Sequence, residues 1–308
     1  MIELERITKS FDDKIAVDSV NLVVPRASVF GLIGPNGAGK TTTLKMIATL
    51  MKPDRGAIAV RGLDVSREAP AVRRIIGYMP DAFGTFRSVT CEEYLEFFGR
   101  SYGYYGTRLH HQIDGVLELT DLGSVRDEVT TALSTGMLQR LSLAKTLLHD
   151  PEVLILDEPA SGLDPRARIE IRSLLKELGR MGKTVIVSSH ILADLEEICS
   201  VVAIMEVGRV IWTGSLQEVR QRHRTEHFNV VLEVGPQDLK RAAELLQTLD
   251  VIEEAKVREE KIEAKMAGHH ANDVLKALID AGVEIRAFSE EKVSLEALFL
   301  ERTRGVVS

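Results

Sequence analysis

The stretch that decides the fold is Gly34-Pro35-Asn36-Gly37-Ala38-Gly39-Lys40-Thr41, which fits the pattern G-x-x-x-x-G-K-[ST]. Just ahead of it, Ser28-Val29-Phe30-Gly31-Leu32-Ile33 is a short β-like apolar run. Behind it, Thr41 to Leu50 carries apolar residues at helical spacing. A strand, a glycine-rich turn and a helix in that order aim successive backbone N–H groups at a phosphate chain, because glycine lets the loop curl without Cβ clashes. The helix N-terminus adds its partial positive charge. In this pattern Lys40 reaches the β- and γ-phosphates of a nucleotide, and the Thr41 hydroxyl stands where it meets Mg2+. The loop is read as a nucleotide-binding site.

Working outward, Glu152-Val153-Leu154-Ile155-Leu156 and Thr184-Val185-Ile186-Val187-Ser188 are continuous apolar runs, the signature of parallel strands buried on both faces. Between them Arg166 to Arg180 reads as an amphipathic helix with Ile171, Leu174, Leu175 and Leu178 on one face. Strands alternating with helices imply an α/β unit with a parallel sheet covered on both sides. The first of these runs ends in Asp157-Glu158-Pro159. Two acids at the C-terminal edge of an open sheet lie where such sheets bind ligands. Asp157 suits a place around Mg2+, and Glu158 suits orienting and deprotonating an attacking water, which favours hydrolysis over phosphoryl transfer to a substrate hydroxyl.

The chain has 308 residues, 39 Lys+Arg and 46 Asp+Glu, and a formal net charge of −7. Length alone suggests about two domains. With 44% hydrophobic and 28% charged residues the composition is that of a globular protein with a sizeable core. No apolar run approaches the ~18 residues that a membrane-spanning helix needs, and Met1-Ile2-Glu3-Leu4-Glu5-Arg6 lacks the pattern of a secretory signal. Cys91 and Cys199 are far apart with no metal-ligand spacing, so reduced cytosolic thiols are expected. The acidic balance gives no footprint for nucleic acid.

From about Phe83 to His149 the pattern turns helical and aromatic-rich at its start (Tyr94, Phe97, Phe98, Tyr102, Tyr104, Tyr105), which marks a helical subdomain inserted into the α/β core. The aromatics suit a docking surface and local core equally well. Polarity rises over Gln217 to Glu226, where a linker is expected. Beyond it the expected order is strand (Phe228 to Val234), helix (Gln237 to Leu249), strand–turn–strand (Val251 to Met266), helix (Asn272 to Asp280), strand (Val283 to Phe288) and a last helix (Leu295 to Thr303). Its first six elements match a ferredoxin-like β-α-β-β-α-β unit.

At Leu133-Ser134-Thr135-Gly136-Met137-Leu138-Gln139-Arg140-Leu141 the sequence resembles the signature segment of ABC-type ATPases, close to LSGGQ. The other elements of that family follow in order. Phe11 resembles the aromatic that stacks on adenine, Met79-Pro80-Asp81 stands in the place of the Q-loop, Ser161-Gly162-Leu163-Asp164 resembles the D-loop and Ser188-Ser189-His190 the switch histidine. The resemblance covers residues 1 to about 220. A second, shorter likeness, at Lys292 to Leu300, is to the C-terminal extension of drug- and antibiotic-export-type ATPase subunits.

The resemblance implies a P-loop NTPase core (1–220) holding a helical subdomain (about 83–149), with a C-terminal accessory α+β domain (221–308). It implies ATP and Mg2+, a phosphate site from Gly34 through Lys40 and Thr41 to Thr42, and a metal held by Thr41, Asp81 and Asp157. Lys40, Glu158 and His190 are the implied catalytic group, and His190 contacts the γ-phosphate. Two copies are expected to sandwich ATP head to tail, with Ser134 and the N–H groups starting at Gly136 reaching across. The implied function is the ATP-hydrolysing subunit of an exporter, cytoplasmic, bound to the inner face of the membrane through a separate permease, with no nucleic acid expected. Two rivals are a soluble ABC-type ATPase acting on DNA or ribosomes and a regulatory nucleotide-binding module of low turnover.

Two positions depart from the family. Asp81 replaces Gln, adding a negative charge on a side chain one methylene shorter. Thr135 replaces Gly, and it would be strained if the backbone there needs positive φ. The remaining histidines (His110, His111, His149, His223, His227, His269, His270) lack partners at ligand spacing and are read as surface residues.

Overall fold

The computed structural model describes residues 1–216 and 228–290, apart from 13, 83, 85, 87, 259, 260, 267 and 269. The chain divides into two compact units between Gly214 and Ser215. The linker at Gln217–Glu226, the helix at Leu295–Thr303 and the segment Lys292–Leu300 lie outside the described residues.

The first unit opens with an antiparallel sheet that the sequence reading does not contain. Strands β1 (Ile2–Phe11), β2 (Lys14–Val24), β4 (Arg55–Val60) and β5 (Leu63–Asp64) pair in the order β2-β1-β4-β5. The register of β1 against β2 slips between Leu4 and Ile7 and again before Lys9 and Ser10, and Arg6 and Ser19 take positive φ of 45° and 50°. These bulges break the apolar alternation after Leu4, so Ile7 rather than Arg6 turns inward. That break is why the strand does not announce itself.

The second sheet has six strands: β3 (Val29–Ile33), β6 (Ile76–Met79), β7 (Val153–Asp157), β8 (Thr184–Ser189), β9 (Val201–Glu206) and β10 (Arg209–Ser215), in the order β10-β9-β3-β8-β7-β6. Strands β3, β6, β7, β8 and β9 run parallel. Every residue of β3, β7 and β8 is buried, which is what their unbroken apolar runs require. Helix α1 (Lys40–Ile47) follows β3 and inserts Leu44, Met46 and Ile47 into a core shared with Ile2 and Leu4 of β1, Val20 and Leu22 of β2, Ile58 of β4 and Ile155 of β7. Helix α2 (Ala69–Ile75) leads into β6.

Helices α3 (Cys91–Ser101), α4 (Gly106–Leu119) and α5 (Thr135–Leu147), with two single 3-10 turns between the last two, form the inserted helical part. A capping box starts α3: Thr90 Oγ1 accepts from the Glu93 N–H, and the Glu93 carboxylate accepts from the Thr90 N–H. Helix α6 (Pro165–Arg180) begins at Asp164, whose side chain accepts from the Ala167 N–H at 2.9 Å, and the residues it buries are Ile171, Leu174, Leu175 and Leu178, the face its spacing predicts. Helix α7 (Leu192–Glu196) follows β8.

The second unit carries β11 (Phe228–Val234), α8 (Leu239–Gln247), β12 (Ile252–Arg258), β13 (Lys261–Met266), α9 (Ala271–Asp280) and β14 (Ile285–Glu290). Its antiparallel sheet has the order β12-β13-β11-β14, the strand order of a ferredoxin-like fold. Val230, Leu232 and Val234 alternate inward with Ile262, Ala264 and Met266, and they pack on Ala242, Leu246, Val274 and Leu278 of the two helices. The opposite face is a ladder of ion pairs, Lys261–Glu233 at 2.6 Å, Lys265–Glu253 at 3.0 Å and Arg258–Glu263 at 3.3 Å. Among the described residues no helix is long and apolar enough to cross a membrane.

Candidate active site

Strand register assembles the site. Ile33 of β3 lies opposite Ser189 of β8, Asp157 of β7 opposite Ser188, and Met79 of β6 opposite Leu156. The residues that leave these strands at their C-terminal ends therefore emerge on one edge: the glycine loop from β3, Glu158 from β7, His190 from β8 and Asp81 from β6. This is the crevice in which open α/β sheets hold ligands.

Close backbone packing anchors the loop. A Cβ on Gly34 would run into the Met205 carbonyl of β9, and Gly39, at φ 101°, would meet the Ala16 carbonyl. The Gly208 N–H donates to the Ala38 carbonyl at 3.0 Å. Helix geometry leaves the first N–H groups of α1, from Lys40 through Thr42, without intrahelical acceptors. Thr41 is exposed, Thr42 half-buried, and Pro35, Asn36 and Gly37 lie at the surface of the loop, while Ala38 is buried.

Lys40 is only 6% exposed. Its ammonium donates to the carbonyls of Gly34 at 2.7 Å and Pro35 at 3.2 Å, and pairs with Glu158 Oε1 at 3.3 Å. Glu158 Oε2 lies 2.9 Å from His190 Nδ1. A carboxylate accepts, so the imidazole presents Nδ1–H to it. Glu158 sits at φ 50°, in the left-handed region where a side chain is strained. The Ser188 hydroxyl holds this turn: it donates to Asp157 Oδ1 at 2.7 Å and accepts from the Glu158 N–H at 2.9 Å. Asp157 is 1% exposed. Burial raises the pKa of Asp81 above the ordinary carboxylate value, and the negative charges of Asp157 and Glu158 raise it further, against His190 and Lys40, which lower it. A hydroxyl and carboxylates on one edge form an oxygen donor set that suits a hard divalent cation.

The structure thus brings together Lys40, Asp157, Glu158 and His190, with Asp81 in their field. Phe11 is exposed at the end of β1, beneath the Lys9 ammonium at 5.8 Å. Ser134 caps α5, its hydroxyl accepting from the Met137 N–H at 3.3 Å. Among the described residues no hydrogen bond or ion pair joins Ser134 or Phe11 to the Lys40 group. The strain considered for Thr135 is absent: it is the first residue of α5 and does not take positive φ. Gly136 answers to packing instead, since a Cβ there would stand 3.0 Å from that of Ala167.

Two other expectations change. His149 is no free surface residue: its Nε2 lies 2.8 Å from the Ile76 carbonyl and its ring stacks on Tyr102 at 4.3 Å, linking the helical part to the parallel sheet. Only its neighbourhood, not its local sequence, carries that signal. His110 gathers with Glu92 and Glu96, potential ligand atoms lying within 4.8 Å of one another, and both glutamates also pair with arginines, Arg126 and Arg100. The aromatics divide between the two readings left open: Tyr94 is core at 1% exposure, whereas Phe86, Phe97, Tyr102 and Tyr105 are exposed. The rings of Phe86, Phe97 and Phe98 meet at 5.2–6.5 Å. Cys91 and Cys199 are both free and buried.

Comparison with known proteins bears on this geometry. Residues 17–161 match the model of the ABC transporter family, and residues 214–303 match that of the DrrA1-3-like ATP-binding protein C-terminal domain. The daunorubicin resistance ATP-binding protein DrrA3 of Streptomyces coeruleorubidus is 34% identical over 302 residues, 98% of this chain and 95% of that protein. The Nod factor export ATP-binding protein I of Paraburkholderia xenovorans is 38% identical over 214 residues, 70% of each. Among solved structures, the ATP-binding subunit of an ABC transporter superposes with a TM-score of 0.64 at 31% identity, covering 72% of this chain and 92% of that one. A dimeric ATP-binding cassette in a post-hydrolysis state with ADP and Pi also scores 0.64, at 26% identity over 70% of this chain and 99% of that one.

Proposed function

The chain belongs to the ABC transporter family of ATP-binding subunits, an ATPase that works on ATP with Mg2+, and from that premise we propose how its residues divide the work. The loop from Gly34 to Gly39 and the first N–H groups of α1 hold the phosphates. Lys40 binds the β- and γ-phosphate oxygens, with Thr42 beside it and Phe11 against the adenine. Thr41, Asp157 and Asp81 hold Mg2+, which when bound neutralises charge on the phosphate oxygens. Glu158 orients the attacking water and takes its proton, and His190 fixes the Glu158 carboxylate and reaches the γ-phosphate. The observation that carries this assignment is Glu158 itself, held between Lys40 at 3.3 Å and His190 at 2.9 Å by a strained turn at the sheet edge.

The exposed α5 N-terminus, with Ser134 as cap and the N–H groups of Thr135 and Gly136 unused by the helix, supports a second copy's ATP as its partner. We assign residues 1–220 to the ATP-binding domain and 221–308 to an accessory domain. A separate membrane permease is the remaining partner, docked on the exposed Phe86–Phe97 aromatics and the Asp81 loop, which places the protein on the cytoplasmic face of the membrane. The Nod factor export proteins among its relatives support outward transport, and the soluble rival on DNA or ribosomes is not favoured. Glu158→Gln tests the assignment. Hydrolysis is expected to fall about 100-fold or more while ATP binding persists and an ATP-dependent dimer accumulates in size-exclusion chromatography. Turnover at the parent rate would overturn it.

A further inference from the structure

We propose that Asp81 couples nucleotide binding to the metal, because it adds a third carboxylate to the phosphate-facing edge that already carries Asp157 and Glu158. The inference rests on the reading of that edge as the ATP–Mg2+ site. Its basis is register and charge. Strand β6 runs parallel to β7 with Met79 opposite Leu156, so two residues further on each strand delivers an acid, Asp81 from one and Glu158 from the other, next to Asp157 at the end of β7. The donors within reach are already engaged: Lys40 with Glu158 and the Gly34 and Pro35 carbonyls, and His190 with Glu158. Among the described residues Asp81 forms no ion pair of its own.

A triphosphate brought to this edge without a cation meets three negative side chains. Like charges several ångströms apart near a protein surface lower an affinity by about tenfold or more. Once a divalent ion sits between them the same carboxylate becomes an oxygen ligand, and repulsion turns into attraction. The two ligands are therefore coupled, and the coupling is reciprocal: metal strengthens nucleotide binding by the factor by which nucleotide strengthens metal binding. A neutral side chain at residue 81 keeps the ligation and loses the penalty on metal-free nucleotide, so the coupling shrinks. Asp81 thus disfavours uncomplexed ATP.

The test measures binding rather than turnover. The full-length protein is titrated with the non-hydrolysable analogue AMP-PNP by calorimetry, in EDTA and in Mg2+, and with Mn2+ by electron paramagnetic resonance, with and without AMP-PNP. Asp81→Asn and Asp81→Gln are expected to bind metal-free AMP-PNP about tenfold more tightly than the parent and to lose a matching factor of Mg2+ enhancement. Asp81→Glu, which keeps the charge, is expected to behave as the parent. Asp81 lies at an exposed loop position, so all three variants should fold, which a melting temperature checks. If Asp81→Asn keeps the parent's Mg2+ enhancement while Lys40→Ala loses nucleotide in both conditions, the proposal fails and the site reading stands. If Lys40→Ala binds AMP-PNP as the parent does, the site reading fails and takes the proposal's premise with it.

Discussion

The two sheets that form the bodies of the two units treat their faces in opposite ways. In the six-stranded sheet β3, β7 and β8 are buried along their whole length, so the apolar side chains there only pack, and polar side chains such as Asp157 and Ser188 come at the C-terminal ends. In the four-stranded sheet of the second unit one face packs and the other carries ion pairs such as Lys261–Glu233. A sheet covered on both sides turns its C-terminal edge into a place where backbone register alone can line up a loop, two acids and a histidine. A sheet covered on one side spreads its polar groups over a surface and gathers none of them at an edge.

This contrast can be tested by making the same cut in each sheet. Ile155 and Ile262 are both fully buried. Truncating either to alanine costs about 3 kcal/mol in transfer and cavity terms. In the smaller unit that loss should lower the melting temperature by about 12–24 °C, and in the larger one by about 6–12 °C. Differential scanning calorimetry should resolve two transitions, Ile262→Ala moving one and Ile155→Ala the other. A single transition moved equally by both would break the comparison.

A smaller effect concerns His149, which belongs to the first unit only. Burial lowers its pKa below the ordinary 6.5. The unfolded chain then binds more protons than the folded one from that value downward, so stability is full above about pH 6.5 and is lost as the pH falls toward the folded value. Melting temperature followed from pH 7.5 to 5.5 should drop less steeply for His149→Gln than for the parent, and the second unit's transition should not respond to the substitution. The smallest effect belongs to the ladder. Lys261→Ala should change the second unit's stability by at most about 1 kcal/mol, and less in high salt, because exposed pairs are screened.

The covered sheet was the legible one. Runs such as Val153 to Leu156 and Thr184 to Ser188 need only be apolar to be recognised, and α6 buries the four residues its spacing names. The antiparallel sheet of β1 and β2 stayed hidden because positive φ at Arg6 and Ser19 shifts the alternation partway along each strand. Within the site, Lys40, Asp157 and Glu158 were marked by local pattern. The Ser188 hydroxyl bridging Asp157 and the Glu158 N–H was not, because strands distant in sequence set that contact. Thr135 shows the reverse: a departure that looks strained on paper is harmless at the first position of a helix.

Lys40 has three N–H donors, and at rest it already has three oxygen neighbours, two loop carbonyls and Glu158. An incoming phosphate therefore adds no contact to the ammonium; it exchanges with those already there. Capture at this residue is therefore an exchange of partners, two loop carbonyls and one paired carboxylate for phosphate oxygens, and not the filling of an empty shell.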